Sequence, residues 1–266
     1  MAPLSYRDAL LAVIAAPDED AKAGLLAQLA PPPDGVTWEL PILPDRPGRS
    51  AQLREGEPPR RRRGLDHKPS RLHFLHAIHH IELSAIDLAC LLCLRASGAP
   101  TALHTDFLQI AREEAIHAGL VRDLLISEGF PPGSDLVHHK LWESALAADD
   151  LGGQLVVVPR FLEARGLDVS AELLPRLATI DGASHAVISR IYQDEIGHVG
   201  IGTRWHAWWC TVNDLDPATH FAATVQRHFA GQVPGPFTLD RAGRGQAGFR
   251  PAELELLTAP PWKPCA

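Results

Sequence analysis

Through the middle of the chain apolar residues recur at helical spacing. From Ser70 onward, Leu83, Ile86, Ala89 with Cys90, and Cys93 with Leu94 fall three or four residues apart, the period of one buried helix face. Stop signals divide this region. They predict a first helix from a Ser70 cap to about Ser97, closed by Gly98 and Pro100, and a second from about Thr105 to Glu128, closed by Gly129 ahead of Pro131 and Pro132. A third is expected over about Leu141 to Arg165, with breaks offered by Gly152-Gly153 and Gly166, then a short helix near Ser170 to Ile180 and a fourth long one from about Ala183 to Val212. Pro217, behind Asp216, opens a last helix that ends near Gly231. Four long helices without a convincing alternating strand pattern predict an all-α fold, an antiparallel four-helix bundle with extra helices.

Proline changes the picture at both ends. An amphipathic segment from Tyr6 to Leu29, broken near Pro17, is followed by Pro31 to Pro33, Pro41, Pro44, Pro47, Pro58 and Pro59, then Arg60 to Arg63. So many prolines preclude long helices and predict an extended arm, either wrapped over the core or mobile. Pro234, Gly235, Pro236, Pro260, Pro261 and Pro264 predict a second extended arm. The expected organisation is an N-terminal segment and arm over 1–69, a bundle over 70–230 and a C-terminal arm over 231–266.

Composition then narrows the function classes. The chain has 266 residues, 45% of them hydrophobic, and a formal net charge of −7. Disorder of the whole chain is excluded, and most of the surface repels phosphate. Residues 54–71 are the exception, with seven basic and three acidic side chains, yet one local run on an acidic protein argues against RNA as the partner. No apolar run approaches the ~20 residues of a membrane helix. The short Ala9–Ala16 stretch lies between Asp8 and Asp18 without a basic flank, so a cytoplasmic protein with no membrane association is expected. Four scattered cysteines do not make a disulfide framework. Trp205, Trp208 and Trp209 have helical spacing and suit packing against a helix or a second subunit, as in a homodimer.

The chemistry-bearing pattern is a pair of Glu-x-x-His motifs, Glu114 with His117 and Glu195 with His198. A step of three puts carboxylate and imidazole on one helix face, one turn apart, where both can bind one ion. One copy is weak evidence, since a surface pair or a capped core histidine gives the same match. Two copies on two helices fit the di-metal carboxylate bundles, which need one further Glu from each remaining helix. Glu82, set among Ile78, Ile81, Leu83 and Ile86, is a costly charge unless neutralised. It precedes Glu114 by 114 − 82 = 32 residues, and the same step back from Glu195, 195 − 32 = 163, lands on Glu163. Glu143 and Glu172 are its competitors. Four carboxylates and two imidazoles favour iron, or manganese with iron, over zinc. For the supporting positions, Asp194 is expected to reach His117. Glu113 is its counterpart or a solvated acid, Tyr192 lies one turn before Glu195, and His79 lies one turn before Glu82.

These residues carry a resemblance. His80-Ile-Glu-Leu-Ser-Ala-Ile-Asp-Leu88, Ala111-Arg-Glu-Glu-Ala-Ile-His117, Val158-Pro-Arg-Phe-Leu-Glu-Ala-Arg-Gly-Leu-Asp168 and Asp194-Glu-Ile-Gly-His198 resemble a bacterial ferritin-like family, domain-of-unknown-function family 455. Leu43-Pro-Asp-Arg-Pro-Gly48 and Gly235-Pro-Phe237 extend the resemblance to about Pro31–Phe249. At superfamily level the family is similar to di-iron tRNA hydroxylases and, more remotely, to ferritins and di-iron oxygenases. The resemblance implies a ferritin-like bundle with a metal pair at Glu82, Glu114, His117, Glu163, Glu195 and His198. It implies no substrate.

The function expected is that of an O₂-dependent oxidoreductase acting on a small or medium organic substrate and supplied by an external electron donor. The alternatives are non-catalytic iron binding with ferroxidase activity, and hydroxylation of tRNA.

Overall fold

The computed structural model describes residues 4–56, 64–229 and 238–258. The Arg60–Arg63 run, Gly235-Pro-Phe237 and the final prolines lie outside the described residues. The all-α expectation holds: helices dominate, and the strands among the described residues are a two-residue parallel bridge, Arg54 with Leu136 and Glu55 with Val137. The chain packs as two compact units, Met1–Glu143 and Ser144–Ala266.

In the first unit, α1 (Tyr6–Ala15) and α2 (Glu19–Leu26) are separate helices, each opened by a side-chain cap. Ser5 accepts from the Asp8 amide and Asp18 from the Ala21 amide. They pack on α3 (Lys68–Arg95) and α4 (Thr101–Ser127), which form an antiparallel pair across the short link 96–100. The first long helix starts before the expected Ser70 cap, because Pro69 occupies an early position where its missing N–H costs nothing. Ser70 instead lies 3.2 Å from His67 Nδ1. By length and composition α3 is apolar enough to cross a membrane, beyond what the sequence suggested. However, 83% of its most apolar window is buried inside the fold, the pattern of a core helix.

The proline-rich arm wraps over this pair through specific bonds. Trp38 donates its indole N–H to Leu94 O at 2.8 Å, Thr101 N donates to Asp34 at 2.6 Å, and Trp142 Nε1 donates to Pro44 O at 3.1 Å.

The second unit departs further from expectation. In place of a helix over 141–165 there is a short α5 (Lys140–Leu146), at whose Glu143 the first unit ends. A continuous rod follows: α6 (Leu151–Leu155), a π-helical segment (Val156–Glu163) and α7 (Ala164–Ile180). Gly152-Gly153 starts this rod rather than breaking it, with Asp150 capping Gly153 N at 2.7 Å, and Gly166 continues it. Pro159 lies inside the π segment, where widened winding accommodates a residue with no N–H to give. Helix α8 (Gly182–Val212), capped by Asp181, returns along the rod. A Cβ on Gly202 would lie 2.3 Å from Pro159 Cβ, and one on Gly152 would lie 2.4 Å from the Trp209 ring. The two contacts share one antiparallel register, since 159 + 202 and 152 + 209 both equal 361.

Helix α9 (Pro217–Phe229) closes over the π segment. The tail predicted to be extended is partly helical: α10 (Arg241–Gln246) and α11 (Pro251–Thr258) each span under three turns. Asp240 caps α10 through Gly243 N, and Pro251 opens α11, so local capping outweighs the glycine content.

Candidate metal centre

Helix α4 presents Glu114 and His117 one turn apart on its buried face, and α3 brings Glu82 to the same place. His117 Nδ1 is 3.3 Å from Glu82 Oε2 and 3.3 Å from Glu114 Oε2. One donor atom from each of the three lies within 4.8 Å of the others. Glu114 and His117 have no solvent exposure and Glu82 retains 4%. Two carboxylates buried this closely need a counter-charge. Burial by itself would lower the His117 pKa, but hydrogen bonds and charge from Glu114 and Glu82 outweigh it and push the imidazole up to about 11. A proton on His117 thus does what a divalent cation held by the same three side chains would do. This buried Glu/His cluster can hold metal ions.

The second unit carries the other motif. Glu195 and His198 are both buried on α8, with Glu195 Oε1 3.8 Å from His198 Nδ1. Glu163 ends the π segment and is half-buried. By the register set at Pro159 and Gly202 it is level with His198, because 163 + 198 is again 361. Glu163 is not among the close-set donor groups of the described residues. Its competitors have other surroundings. Glu172 accepts from Thr238 N at 3.0 Å, and Glu143 is exposed.

The expected supporting residues have their own partners. Asp194 accepts from Arg190 Nε at 2.6 Å, and Glu113 accepts from Gln109 at 2.8 Å. Tyr192 donates to Asp240 at 2.8 Å, and burial with the Asp240 charge pushes its phenol up to about 12. His79 lies 3.4 Å from Glu19, which Arg122 also contacts at 3.0 Å. Tyr192 therefore ties the tail to α8, and His79 ties α2 to α3. Cys90 and Cys93 are buried core thiols, and burial pushes Cys93 up to about 12.

Sequence reasoning missed a second cluster, His206, Cys210 and His220, whose only signal was a His and a Cys four apart on one helix. His206 Nε2 lies 2.9 Å from His220 Nδ1 and 3.4 Å from Cys210 Sγ. His206 Nδ1 faces Arg160 at 2.9 Å. A guanidinium can only donate, so Nδ1 accepts and the ring proton sits on Nε2, directed at His220. That tautomer makes a hydrogen-bond chain rather than a ready metal ligand. Burial and the neighbouring Arg160 charge push His206 down to about 2, which keeps it neutral.

A family model described as "Protein of unknown function (DUF455)" matches residues 15–255. An uncharacterized protein of Haemophilus influenzae is 36% identical over 192 residues, covering 69% of this chain and 66% of the relative. The match thus spans just under two thirds of that relative's length. No solved structure matches the chain.

Proposed function

The chain belongs to domain-of-unknown-function family 455, and from its buried donors we propose a ferritin-like dinuclear carboxylate protein that oxidises a small or medium organic substrate with O₂. The observation that carries this is the convergence of Glu82, Glu114 and His117, without solvent and without cysteine, on one small volume. The repeat of Glu-x-x-His at Glu195 and His198, with Glu163 level with His198, supports a second half of the same kind. Glu82, Glu114, His117, Glu163, Glu195 and His198 would hold the ions, iron or manganese with iron, since hard oxygen donors with imidazole suit those metals. When bound, such a pair supplies the redox equivalents that activate O₂ for C–H oxidation, with an external donor replacing the electrons consumed. The side chains contribute charge balance and burial. His117 gives up its proton to become a ligand, and the apolar walls of α3 and α4 exclude bulk water.

Metal analysis of protein purified without chelator, with anomalous scattering at the iron and manganese edges, tests the proposal. Two ions per chain are expected, with loss on Glu114→Ala. Fewer than about one ion per chain, unchanged by Glu114→Ala, would end it. Consumption of O₂ under a supplied reductant then separates oxidation chemistry from storage.

A further inference from the structure

Two neighbouring imidazoles in the first unit each have one nitrogen that the fold leaves unused. His80 lies on α3, and His139 lies immediately before α5, where the two-residue bridge delivers the chain. Their ring centroids are 5.9 Å apart, and the two residues are 5% and 7% exposed. His80 Nε2 is 3.0 Å from His138 O, and His139 Nε2 is 3.2 Å from Glu55 Oε1. A carbonyl oxygen can only accept, so His80 carries its proton on Nε2. Glu55, paired also with Arg46, is a carboxylate and sets the same tautomer in His139. Both Nδ1 atoms are buried, and neither has a hydrogen-bond partner. A second proton there would be a buried charge with no acceptor, so each Nδ1 is a lone pair, itself costly to shut away from water without a donor.

This is the arrangement of a metal-ligating histidine, one ring N–H fixed by an oxygen acceptor and the other nitrogen free. The surroundings select the ion. Among the described residues no close-set group of three His, Cys, Asp or Glu donors includes either ring, so the pair offers two ligands rather than four. With metal–nitrogen bonds of about 2 Å, two imidazoles on a tetrahedral ion have centroids about 5 Å apart, and two on a linear ion about 6 Å. The observed 5.9 Å suits the linear geometry. Arg49 stands beside the pair. Its Nη2 is 3.1 Å from Ser84 Oγ, one turn from His80 on α3, and after burial its charge is the largest influence holding His139 below its ordinary pKa. That charge opposes a divalent ion more than a monovalent one. Copper(I) carries a single charge, binds imidazole and accepts two ligands in line.

We propose that His80 and His139 bind one copper(I) ion through their Nδ1 atoms, tying α3 to the start of α5. The site is distinct from Glu82, Glu114 and His117, because His80 and Glu82 are two residues apart and leave α3 about 200° from each other. It does not depend on that centre being occupied.

Crystals of the full-length protein, exposed without oxygen to copper(I) acetonitrile and measured at the copper edge, test it. An anomalous peak about 2 Å from both Nδ1 atoms is expected. In solution, competition with bicinchoninate should show His139→Phe binding one copper(I) fewer per chain, or that ion at least about tenfold more weakly, with its helical spectrum intact. Glu114→Gln should bind copper(I) as the parent protein does, and crystals soaked in zinc should show no zinc between the two rings. Copper found only at cysteine sulfur or at the Glu82, Glu114 and His117 centre would overturn the proposal, as would an ordered water joining the two rings to Arg49 Nε in the copper-exposed crystals. Undiminished copper binding by His139→Phe, loss of this copper in Glu114→Gln, or zinc held tetrahedrally between the rings would do the same.

Discussion

Lys22 Nζ lies 2.7 Å from Asp87 Oδ1, and neither side chain has any solvent exposure. Asp87 is five residues beyond Glu82 on α3, so this bond fastens α2 to the helix that carries a metal-site carboxylate. Lys22 also donates to Val13 O and Ile14 O at 2.8 and 3.1 Å, and Arg49 takes the other Asp87 oxygen at 2.7 Å. One buried carboxylate thus serves two cations. Asp87→Ala is expected to lower unfolding free energy by about 3–5 kcal/mol, because it strands both. Lys22→Met should cost less, since Arg49 still neutralises Asp87. Urea denaturation followed by circular dichroism measures both, and an equal or reversed order would contradict this account.

The histidines set opposite limits on the metal-free fold. Burial pushes His80 down to about 3 and His76 and His104 down to about 4, from an ordinary 6.5. Their contribution is present above about 6.5 and is lost as pH falls through the folded values. His117, raised to about 11 by Glu114 and Glu82 against the effect of burial, contributes below about 6.5 and loses that contribution as pH climbs to 11. Melting temperature in chelator should therefore peak near pH 6–7, and His117→Gln should remove the alkaline decline. A flat profile from pH 4 to 9 would refute the assignment.

Glu163 and Glu172 should separate cleanly. Glu163→Gln is expected to lower metal content or affinity, whereas Glu172→Gln should leave both unchanged, since Glu172 holds Thr238 N in the tail. Metal titration at fixed pH distinguishes them. The opposite result would move the third-helix ligand to Glu172.

Two glycines on α8 should respond with opposite sign. Gly202→Ala places a methyl group 2.3 Å from Pro159 and is expected to destabilise by about 1–3 kcal/mol. A Cβ on Gly197 meets nothing within 4 Å, so Gly197→Ala should gain up to about 1 kcal/mol of helix propensity. Thermal melts of the two variants give the comparison.

Much of the helical layout was legible because its punctuation is local. Pro100, Gly129 and Pro217 act within a turn of where they stand, and the separation of Glu82 from Glu114 carried into space because α3 and α4 are regular helices joined by a short link. The second half was less legible. The 32-residue step assumes that each residue turns by the same angle, and the π winding from Val156 to Glu163 turns less per residue, so side-chain direction shifts without any change in residue count. Pro159 marks that segment, but a proline also reads as a simple break. Lys22 was hidden for another reason. A buried cation looks like a surface residue until a partner far along the chain, here Asp87, is brought beside it.

Pro159 seated in the gap left by Gly202 has a mechanical consequence. Helix α8 cannot slide along the π segment without lifting a ring over a flanking side chain, so axial motion of His198 past Glu163 is blocked. Adjustment between those two groups is left to rotation about side-chain bonds, a motion of small amplitude that needs no rearrangement of the backbone.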